Sequence, residues 1–331
     1  MNFIETIKQR AKKEIKKIVL PEAQDLRIIK AASIAIKEEY AEIILLGDET
    51  NIKELAKNNN LDISKATIIN PLNSEKSNEY AEKLYELRKQ KGMTLEKAKE
   101  LVKDEVYFGM MMVKQEEADG LVSGAIHSTS DTLRPALQIL KTAPDTKLVS
   151  AFFLMVVPNC DYGENGVFVF GDCGLNQNPT SEELVEIAHS SSKSFEQLVE
   201  KKAKVAMLSY STKGSAKCEL TQKVIDATEM IKQKYPEIEV DGELQLDAAI
   251  VPEVGASKAP GSKTAGYANT LIFPNLDAGN IGYKLTQRLG KAEAYGPLCQ
   301  GIARPVNDLS RGCSAEDVAG VIAITAVQAQ K

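Results

Sequence analysis

Residues 16–71 read KKIVLPEAQDLRIIKAASIAIKEEYAEIILLGDETNIKELAKNNNLDISKATIINP. Three short runs in this stretch, KKIVLP, AEIILLG and ATIINP, are apolar and rich in β-branched residues, as strands are. The segments between them, DLRIIKAASIAIKEEY and ETNIKELAKNN, repeat apolar residues every three or four positions, as amphipathic helices do. Strands that alternate with helices in this way form a parallel sheet with crossover helices. The sequence therefore predicts an α/β fold.

The rest of the chain predicts a second α/β unit. Residues 74–117 predict two charged helices interrupted at Gly92, and DGLVSGAI returns as a strand. Further strands and helices then alternate between residues 148 and 290, and a length of 331 residues exceeds the roughly 250–300 at which single cores stop growing. Ala143-Pro144 suits a boundary, because a residue before proline favours extended backbone. The apolar segment 314–330 predicts a closing helix that returns to the first unit.

Charge and composition exclude several classes of protein. The net charge is −5 and no long basic run occurs, which argues against a nucleic-acid binder. The first residues lack the apolar centre of a signal peptide, and no stretch is apolar for long enough to span a membrane. The five cysteines form no CxxC pair, which suits free thiols in a reducing compartment and predicts the cytoplasm.

Few residues are available for metal or triad chemistry. The two histidines, His127 and His189, are too few for a zinc site of several imidazoles, and we predict no metal site. Cys160 follows an apolar strand and is a candidate acyl carrier, but no histidine adjoins it in sequence, which favours an inert small apolar group. The segment GASKAPGSKT superficially resembles a phosphate loop, but five residues instead of four separate Gly255 from Gly261, and a serine stands where the lysine is required. This argues against a nucleotide triphosphatase.

The segment PVNDLSRGCSAEDV, residues 305–318, predicts an anion site. Ser310 and Arg311 lie in a loop before a helix that starts near Ser314, and the amides of a helix N-terminus favour an anion. The Arg311 guanidinium suits phosphate oxygens, and the Ser310 hydroxyl can donate to a developing oxyanion. Asp317 has two alternative roles, the capping box of that helix or a general base toward a thiol.

A second candidate site lies in SGAIHSTSDTLRPALQIL, residues 123–140. Hydroxyl groups, including those of Ser128 and Thr132, lie where a predicted strand passes into a helix, with Arg134 and Pro135 at the helix start. Such loops bind phosphate and also simply cap helices, and the pattern leaves both readings open. Arg88 lies among lysines in a helical segment, and such a run of charges usually forms a solvated helix face. Tyr283 and Lys284 lie at a predicted helix start, where capping or packing is the ordinary role.

Four long segments together resemble the phosphate acetyltransferase family, in family order and over nearly the whole chain. They are SGAIHSTSDTLRPALQIL, VFGDCGLNQNPTSEELVEIA, ANTLIFPNLDAGNIGYKLTQRLG and GPLCQGIARPVNDLSRGCSAEDV. The resemblance implies two α/β domains with a cleft between them, similar to isocitrate and isopropylmalate dehydrogenases, and a homodimer. It also implies a discontinuous first domain, residues 1–145 plus 300–331, with residues 146–299 as the second.

The same resemblance implies an activity, acetyl transfer between acetyl phosphate and coenzyme A in acetate metabolism. Coenzyme A is then a substrate, phosphate and acetyl-CoA are products, and no cofactor is permanently bound. The residues that match active-site positions are Ser310, Arg311, Asp317, Arg134 and Arg88, with Thr132, Ser128, Tyr283 and Lys284 as further substrate-binding candidates. Cys160 and Cys313 match cysteines that are not required nucleophiles.

Three alternatives stay open at this stage. A phosphate butyryltransferase does the same chemistry with a wider acyl pocket. A metal-dependent hydroxyacid dehydrogenase shares the implied fold but needs clustered acidic ligands that the sequence does not display. A protein that binds acyl phosphate or coenzyme A without turnover is the third, and the presence of Ser310, Arg311 and Asp317 together argues against it.

Overall fold

A computed structural model describes residues 3–144 and 146–330. The chain divides into two compact units, the first Met1–Pro144 with Ile302–Lys331 and the second Asp145–Gly301. Both units combine helices with a β-sheet, so the predicted α/β class is confirmed.

The first unit begins with eleven of the helices and strands. They are α1 (Phe3–Ala11), β1 (Lys17–Leu20), α2 (Leu26–Glu38), β2 (Glu42–Leu46), α3 (Glu49–Asn58), β3 (Thr67–Ile69), α4 (Ser77–Arg88), α5 (Leu95–Leu101), α6 (Glu105–Lys114), β4 (Gly120–Val122) and α7 (Thr129–Ile139). A single 3₁₀ turn, Lys89–Lys91, follows α4 and ends at Gly92, whose φ of 81° is one that glycine adopts readily.

The second unit follows, and the chain then returns to the first. Its elements are β5 (Ser150–Val156), β6 (Val167–Gly171), α8 (Ser181–Val199), β7 (Lys204–Leu208), α9 (Glu219–Lys234), β8 (Glu239–Leu244), α10 (Leu246–Ile250), α11 (Pro252–Lys258), β9 (Thr270–Ile272), α12 (Leu276–Leu289) and β10 (Glu293–Gln300). The returning segment forms β11 (Val306–Asn307) and α13 (Ala315–Ala329).

The sheet of the first unit has the order β11-β4-β1-β2-β3, and all its pairs are parallel. β1 reads KIVL with three successive buried residues, as expected of a strand covered on both faces. The closing helix α13 packs against α2 and α1, and its residues Val318–Val327 are buried throughout. The apolar C-terminal sequence thus completes the core of the first unit.

The sheet of the second unit is mixed, with the order β10-β5-β6-β9-β7-β8. β5 pairs antiparallel with both β10 and β6, whereas β6, β9, β7 and β8 are parallel to one another. Buried Phe153, Phe168 and Phe170 belong to its core.

Two helix boundaries differ from the sequence prediction. The segment after Gly92 was predicted as one helix but forms two, because the Asp104 side chain accepts hydrogen bonds of 3.0 Å from the amides of Val106 and Tyr107 and starts a new helix. Asn275 caps α12 through the amide of Ala278, so the helix begins well before the position predicted.

Among the described residues, no helix is both long and apolar enough to cross a membrane.

Candidate active site

Three loops follow neighbouring strands at one edge of the first unit's sheet. Residues 21–25 join β1 to α2, residues 123–128 join β4 to α7, and residues 308–314 join β11 to α13. We call the last two the Ser128 loop and the Ser310 loop. Because β11, β4 and β1 are adjacent and parallel, their carboxyl ends lie together, which is where α/β sheets bind ligands.

The Ser310 loop leads into a capped helix. The Ser310 side chain is exposed, and its carbonyl accepts the Cys313 amide at 2.9 Å. Ser314 is the N-cap of α13, with Asp317 Oδ2 accepting the Ser314 amide at 2.9 Å and Ser314 Oγ accepting the Asp317 amide at 3.1 Å. The predicted capping box is therefore present. It uses one carboxylate oxygen of Asp317, and the other makes no hydrogen bond within the described chain.

Two arginines of the candidate site, Arg311 and Arg134, carry positive charge. Arg311 and Arg134 are exposed, and neither forms an ion pair with a carboxylate among residues 3–144 and 146–330. Arg311 also lies next to the N-terminus of α13, which favours anions. The combination suits a ligand with several phosphate oxygens.

The Ser128 loop is also built around a cap. Ser128 is the N-cap of α7, and its hydroxyl donates to Asp131 at 2.6 Å. The helix therefore starts before Arg134, and Pro135 lies inside α7, not in its first turn as predicted. Thr132 is fully buried, and its Oγ1 has no hydrogen-bond partner. Ser128 therefore acts as a helix cap, and Thr132 lies in the protein interior. A role of either residue in substrate binding stays a prediction.

Glu22, which the sequence analysis did not single out, shapes the Ser128 loop. This fully buried carboxylate accepts the amides of residues 124–127 at 2.8–2.9 Å, and the His127 ring at 2.8 Å. Burial opposes ionisation of Glu22, but the bonds from His127 and the amides outweigh it and hold the pKa below its usual value. The same contact raises the pKa of His127. No spacing in the sequence marks Glu22, because its partners lie about a hundred residues away.

Arg27, also missed, joins all three loops. Its guanidinium lies against Asp25, with Nε–Oδ1 at 3.0 Å and Nη2–Oδ2 at 2.7 Å. It donates to the carbonyls of Arg311 at 2.7 Å, Cys313 at 3.2 Å and Ala125 at 2.8 Å. The Ser310 and Ser128 loops are thereby tied to one side chain.

Asp308 connects the Ser310 loop to the first residue of α7, directly after the Ser128 loop. It is 1% exposed and accepts the Thr129 hydroxyl at 2.6 Å, whereas its Oδ1 has no partner. Burial raises the pKa of Asp308 to about 6, against the lowering effect of Thr129. Asp308 precedes Ser310 by two residues and Thr129 follows Ser128, so the contact brings the two candidate segments side by side.

Arg88 does not lie on a solvated helix face. It ends α4, is half-buried, and its Nε has no hydrogen-bond partner. Burial raises the pKa of Tyr107, while the positive charges of Arg134 and Arg88 both act to lower it. The two arginines therefore lie near the same tyrosine. Tyr107 itself donates to Gln138 at 3.1 Å.

Cys313 and Cys160, the two cysteines that the sequence analysis considered as near the cleft, are free thiols. Burial raises the pKa of Cys313 to about 11, although Arg27 acts in the opposite direction. Cys313 is therefore a neutral thiol at neutral pH. Cys160 is a half-buried free cysteine of the second unit. Among the described residues, no group of three or more His, Cys, Asp or Glu side chains is arranged to hold a metal ion.

Tyr283 and Lys284 belong to the second unit, on α12. Tyr283 is 6% exposed and stacks on Phe153 with ring centroids 3.9 Å apart. Lys284 is exposed, donates to Asn280 at 2.8 Å and lies over the Tyr283 ring. The stacking on Phe153 explains why Tyr283 is buried, in agreement with the packing role that the sequence predicted as one of two possibilities. A substrate contact by either residue stays a prediction.

The sequence of this chain is similar to those of known proteins along its whole length. The sequence pattern described as phosphate acetyl/butaryl transferase matches residues 2–326. The chain belongs to this family. It is therefore a transferase, and the family resemblance is confirmed. The phosphate acetyltransferase of Acetivibrio thermocellus is 65% identical over 330 residues, which cover 100% of this chain and 99% of that protein.

Solved structures agree with the family assignment. The EutD phosphotransacetylase from Staphylococcus aureus superposes with a TM-score of 0.90 at 48% identity, over 99% of this chain and 98% of its own. A Salmonella typhimurium protein described as a 4-hydroxythreonine-4-phosphate dehydrogenase superposes with a TM-score of 0.56 at 12% identity, over 96% of this chain. That distant likeness concerns the fold alone and agrees with the predicted dehydrogenase-like fold.

Proposed function

We propose that this chain transfers an acetyl group between acetyl phosphate and coenzyme A, with acetyl-CoA and inorganic phosphate as the other pair of reactants. The observation that carries the proposal is the 65% identity to a phosphate acetyltransferase along essentially the full length of both chains. The unpaired Arg311 and Arg134 and the exposed Ser310, at the carboxyl edge of a parallel sheet, support it.

The proposed reaction is direct attack in a ternary complex. The coenzyme A sulfur forms a bond to the acetyl carbon, Asp317 accepts the thiol proton, and the bond from that carbon to the phosphate oxygen breaks. Phosphate leaves with the electron pair of that bond and is then protonated. Ser310 donates a hydrogen bond to the carbonyl oxygen as it becomes negative, and Arg311 binds the phosphate. Arg134 and Arg88 bind phosphate or the phosphates of coenzyme A.

The two candidate roles of Asp317, helix cap and general base, predict different effects of its replacement. Replacement by asparagine keeps an oxygen able to accept the Ser314 amide, so the cap is largely retained, while the base is lost. We expect the rate of Asp317→Asn to fall by about 10²-fold or more with a melting temperature near that of the wild type. A lowered melting temperature with a near-normal rate would leave Asp317 with the cap alone.

The activity is tested by thioester absorbance after mixing the protein with acetyl phosphate and coenzyme A, with butyryl phosphate in parallel. We expect rapid acetyl-CoA formation and slow reaction of butyryl phosphate. A faster butyryl reaction would assign the chain to the butyryl branch, and no thioester from either would overturn the proposed function.

Five further proposals complete this function. Coenzyme A acts as a substrate, with no permanently bound cofactor, and the enzyme works in the cytoplasm. Residues 1–145 with 300–331, and residues 146–299, act as its two domains. Tyr283 and Lys284, with Ser128 and Thr132, contribute to substrate binding. The enzyme is a homodimer.

The family likeness carries the homodimer proposal, and one face of α12 supports it. Ile281, Leu285 and Leu289 follow one another at intervals of four residues and are 58%, 52% and 79% exposed. We expect Leu285→Lys to weaken the dimer, measured by light scattering. Leu72→Lys serves as the control, since Leu72 is 67% exposed on the first unit. Equal masses for both variants would contradict this location of the interface.

A further inference from the structure

The Ser310 loop has few bonds of its own. Within it, the backbone donates two hydrogen bonds, from the Cys313 amide to the Ser310 carbonyl at 2.9 Å and from the Gly312 amide to Ser310 Oγ at 3.4 Å, and Ser310, Arg311 and Gly312 are exposed. Exposed backbone with so few internal bonds has little to fix its conformation. Yet Ser310 and Arg311, to which the proposed function assigns the oxyanion and the phosphate, need fixed positions, since catalysis by positioned groups is sensitive to displacements of about 1 Å.

Arg27 supplies contacts that the loop lacks. Its Nη1 donates to the carbonyl of Arg311 at 2.7 Å and to that of Cys313 at 3.2 Å, on both sides of Gly312. The carbonyl of Arg311 belongs to the residue whose guanidinium is to hold phosphate. A bond at this carbonyl limits rotation of the backbone that carries the Arg311 side chain.

The guanidinium is itself held in place from two directions. Asp25 accepts from both Nε and Nη2, and the Ala125 carbonyl accepts from Nη2 at 2.8 Å. The Arg27 side chain is 29% exposed, so these bonds are partly shielded from water. Only a planar fork with five donors can meet a carboxylate and three carbonyls at once, which the single ammonium of lysine cannot do.

We propose that Arg27 is a positioning residue of the acetyl-transfer reaction, which holds the Ser310 loop in its active conformation through the carbonyls of Arg311 and Cys313. Asp25 orients the guanidinium, and Ala125 fixes it relative to the Ser128 loop. Arg27 touches neither reacting atoms nor substrate in this role. The inference rests on the proposed function for its effect on rate, and on the contacts alone for its effect on the loop.

The test compares Arg27→Gln, Arg27→Lys and a matched control, Arg304→Gln. Arg304 also pairs with a carboxylate, Glu116, in the first unit, but within the described chain it makes no hydrogen bond to either loop. We expect Arg27→Gln to lower kcat about 10- to 100-fold and to speed amide hydrogen exchange of residues 309–314. Arg27→Lys, which keeps the charge and the stem, gives an intermediate rate, and Arg304→Gln matches the wild type in both measurements.

The two readouts separate the possible failures. If the wild type forms no thioester, the proposed function is overturned, and the exchange measurement still tests whether Arg27 holds the loop. If the wild type is active, the inference is overturned by a kcat of Arg27→Gln within about twofold of the wild type, or by unchanged exchange of residues 309–314. Should Arg27→Gln not fold, Arg27→Lys decides by the same two measurements.

Discussion

Replacing Glu22 with glutamine removes the charge at the centre of the Ser128 loop while keeping the shape of the side chain. Oε1 accepts the amides of Ile126 and His127, and Oε2 accepts those of Gly124 and Ala125, all at 2.8–2.9 Å. Glutamine has one oxygen and one NH₂ group, so two backbone amides must face a donor. Either orientation of the new amide leaves two backbone N–H groups without an acceptor, and the orientation with NH₂ in place of Oε1 also removes the acceptor of the His127 ring.

The magnitude follows from these bonds. A hydrogen bond to a charged group contributes about 1.5–3 kcal/mol, and a buried donor left without a partner costs about 1–3 kcal/mol. Glu22 is fully buried, so water cannot replace the lost acceptor. With two amides affected, we expect Glu22→Gln to lower the free energy of unfolding by about 3–5 kcal/mol at pH 7.5.

Urea unfolding at pH 7.5 measures this difference, with Glu42→Gln as the control, because the Glu42 side chain is 62% exposed. The control should change stability by less than about 0.5 kcal/mol. The pKa of Glu22 is held below its usual value despite burial, so its contribution is present above the unfolded pKa of about 4.3 and is lost as pH falls through the lower folded pKa. The difference between variant and wild type should therefore shrink in acid.

A loss below about 1 kcal/mol in Glu22→Gln, or one equal at pH 7.5 and in acid, would refute the reasoning. The first result would mean that the amides find other acceptors. The second would mean that the effect is one of packing and not of charge.

Two further changes test neighbouring parts of the site. Burial raises the pKa of Asp308 to about 6, so the stability that the neutral carboxyl contributes is lost as pH rises from about 4 to 6. We therefore expect Asp308→Asn to raise the free energy of unfolding by about 2–3 kcal/mol at pH 7.5 and by little at pH 4, measured by urea unfolding. Equal increases at the two pH values would contradict this expectation. Gly124→Ala should lower the free energy of unfolding by more than about 2 kcal/mol, because φ at Gly124 is 114° and a Cβ would lie 2.8 Å from the Leu309 carbonyl oxygen. Gly92→Ala should lower it by about 1 kcal/mol, because φ at Gly92 is 81° but no atom lies within 4 Å of the added Cβ. Equal melting temperatures for the two alanine variants would contradict the steric argument.

Local signals in the sequence were sufficient for much of the fold. The alternation of strand and helix periods in residues 16–71 predicted the parallel order, and the Ser314–Asp317 spacing predicted the capping box that the structure contains. Where a short polar side chain started a helix within a helical pattern, as Asp104 does, the boundary was wrong, because the pattern of apolar residues continues across it.

Contacts between distant segments were beyond the sequence. Glu22 and Arg27 have no motif, since each acts on backbone groups about a hundred or nearly three hundred residues away, which only the adjacency of β1, β4 and β11 brings near. Arg88 was read as solvated because its neighbours in sequence are lysines, yet the packing of α4 half-buries it.

By itself the sequence determined the α/β class, the family and the residue types of the candidate site, because periodicity, capping and ordered motifs are local properties of the chain. The tertiary structure alone decided which side chains hold the loops that carry Ser310 and Ser128. A backbone carbonyl or amide looks the same at every position in a sequence, and its partner is fixed only when the strands are placed side by side.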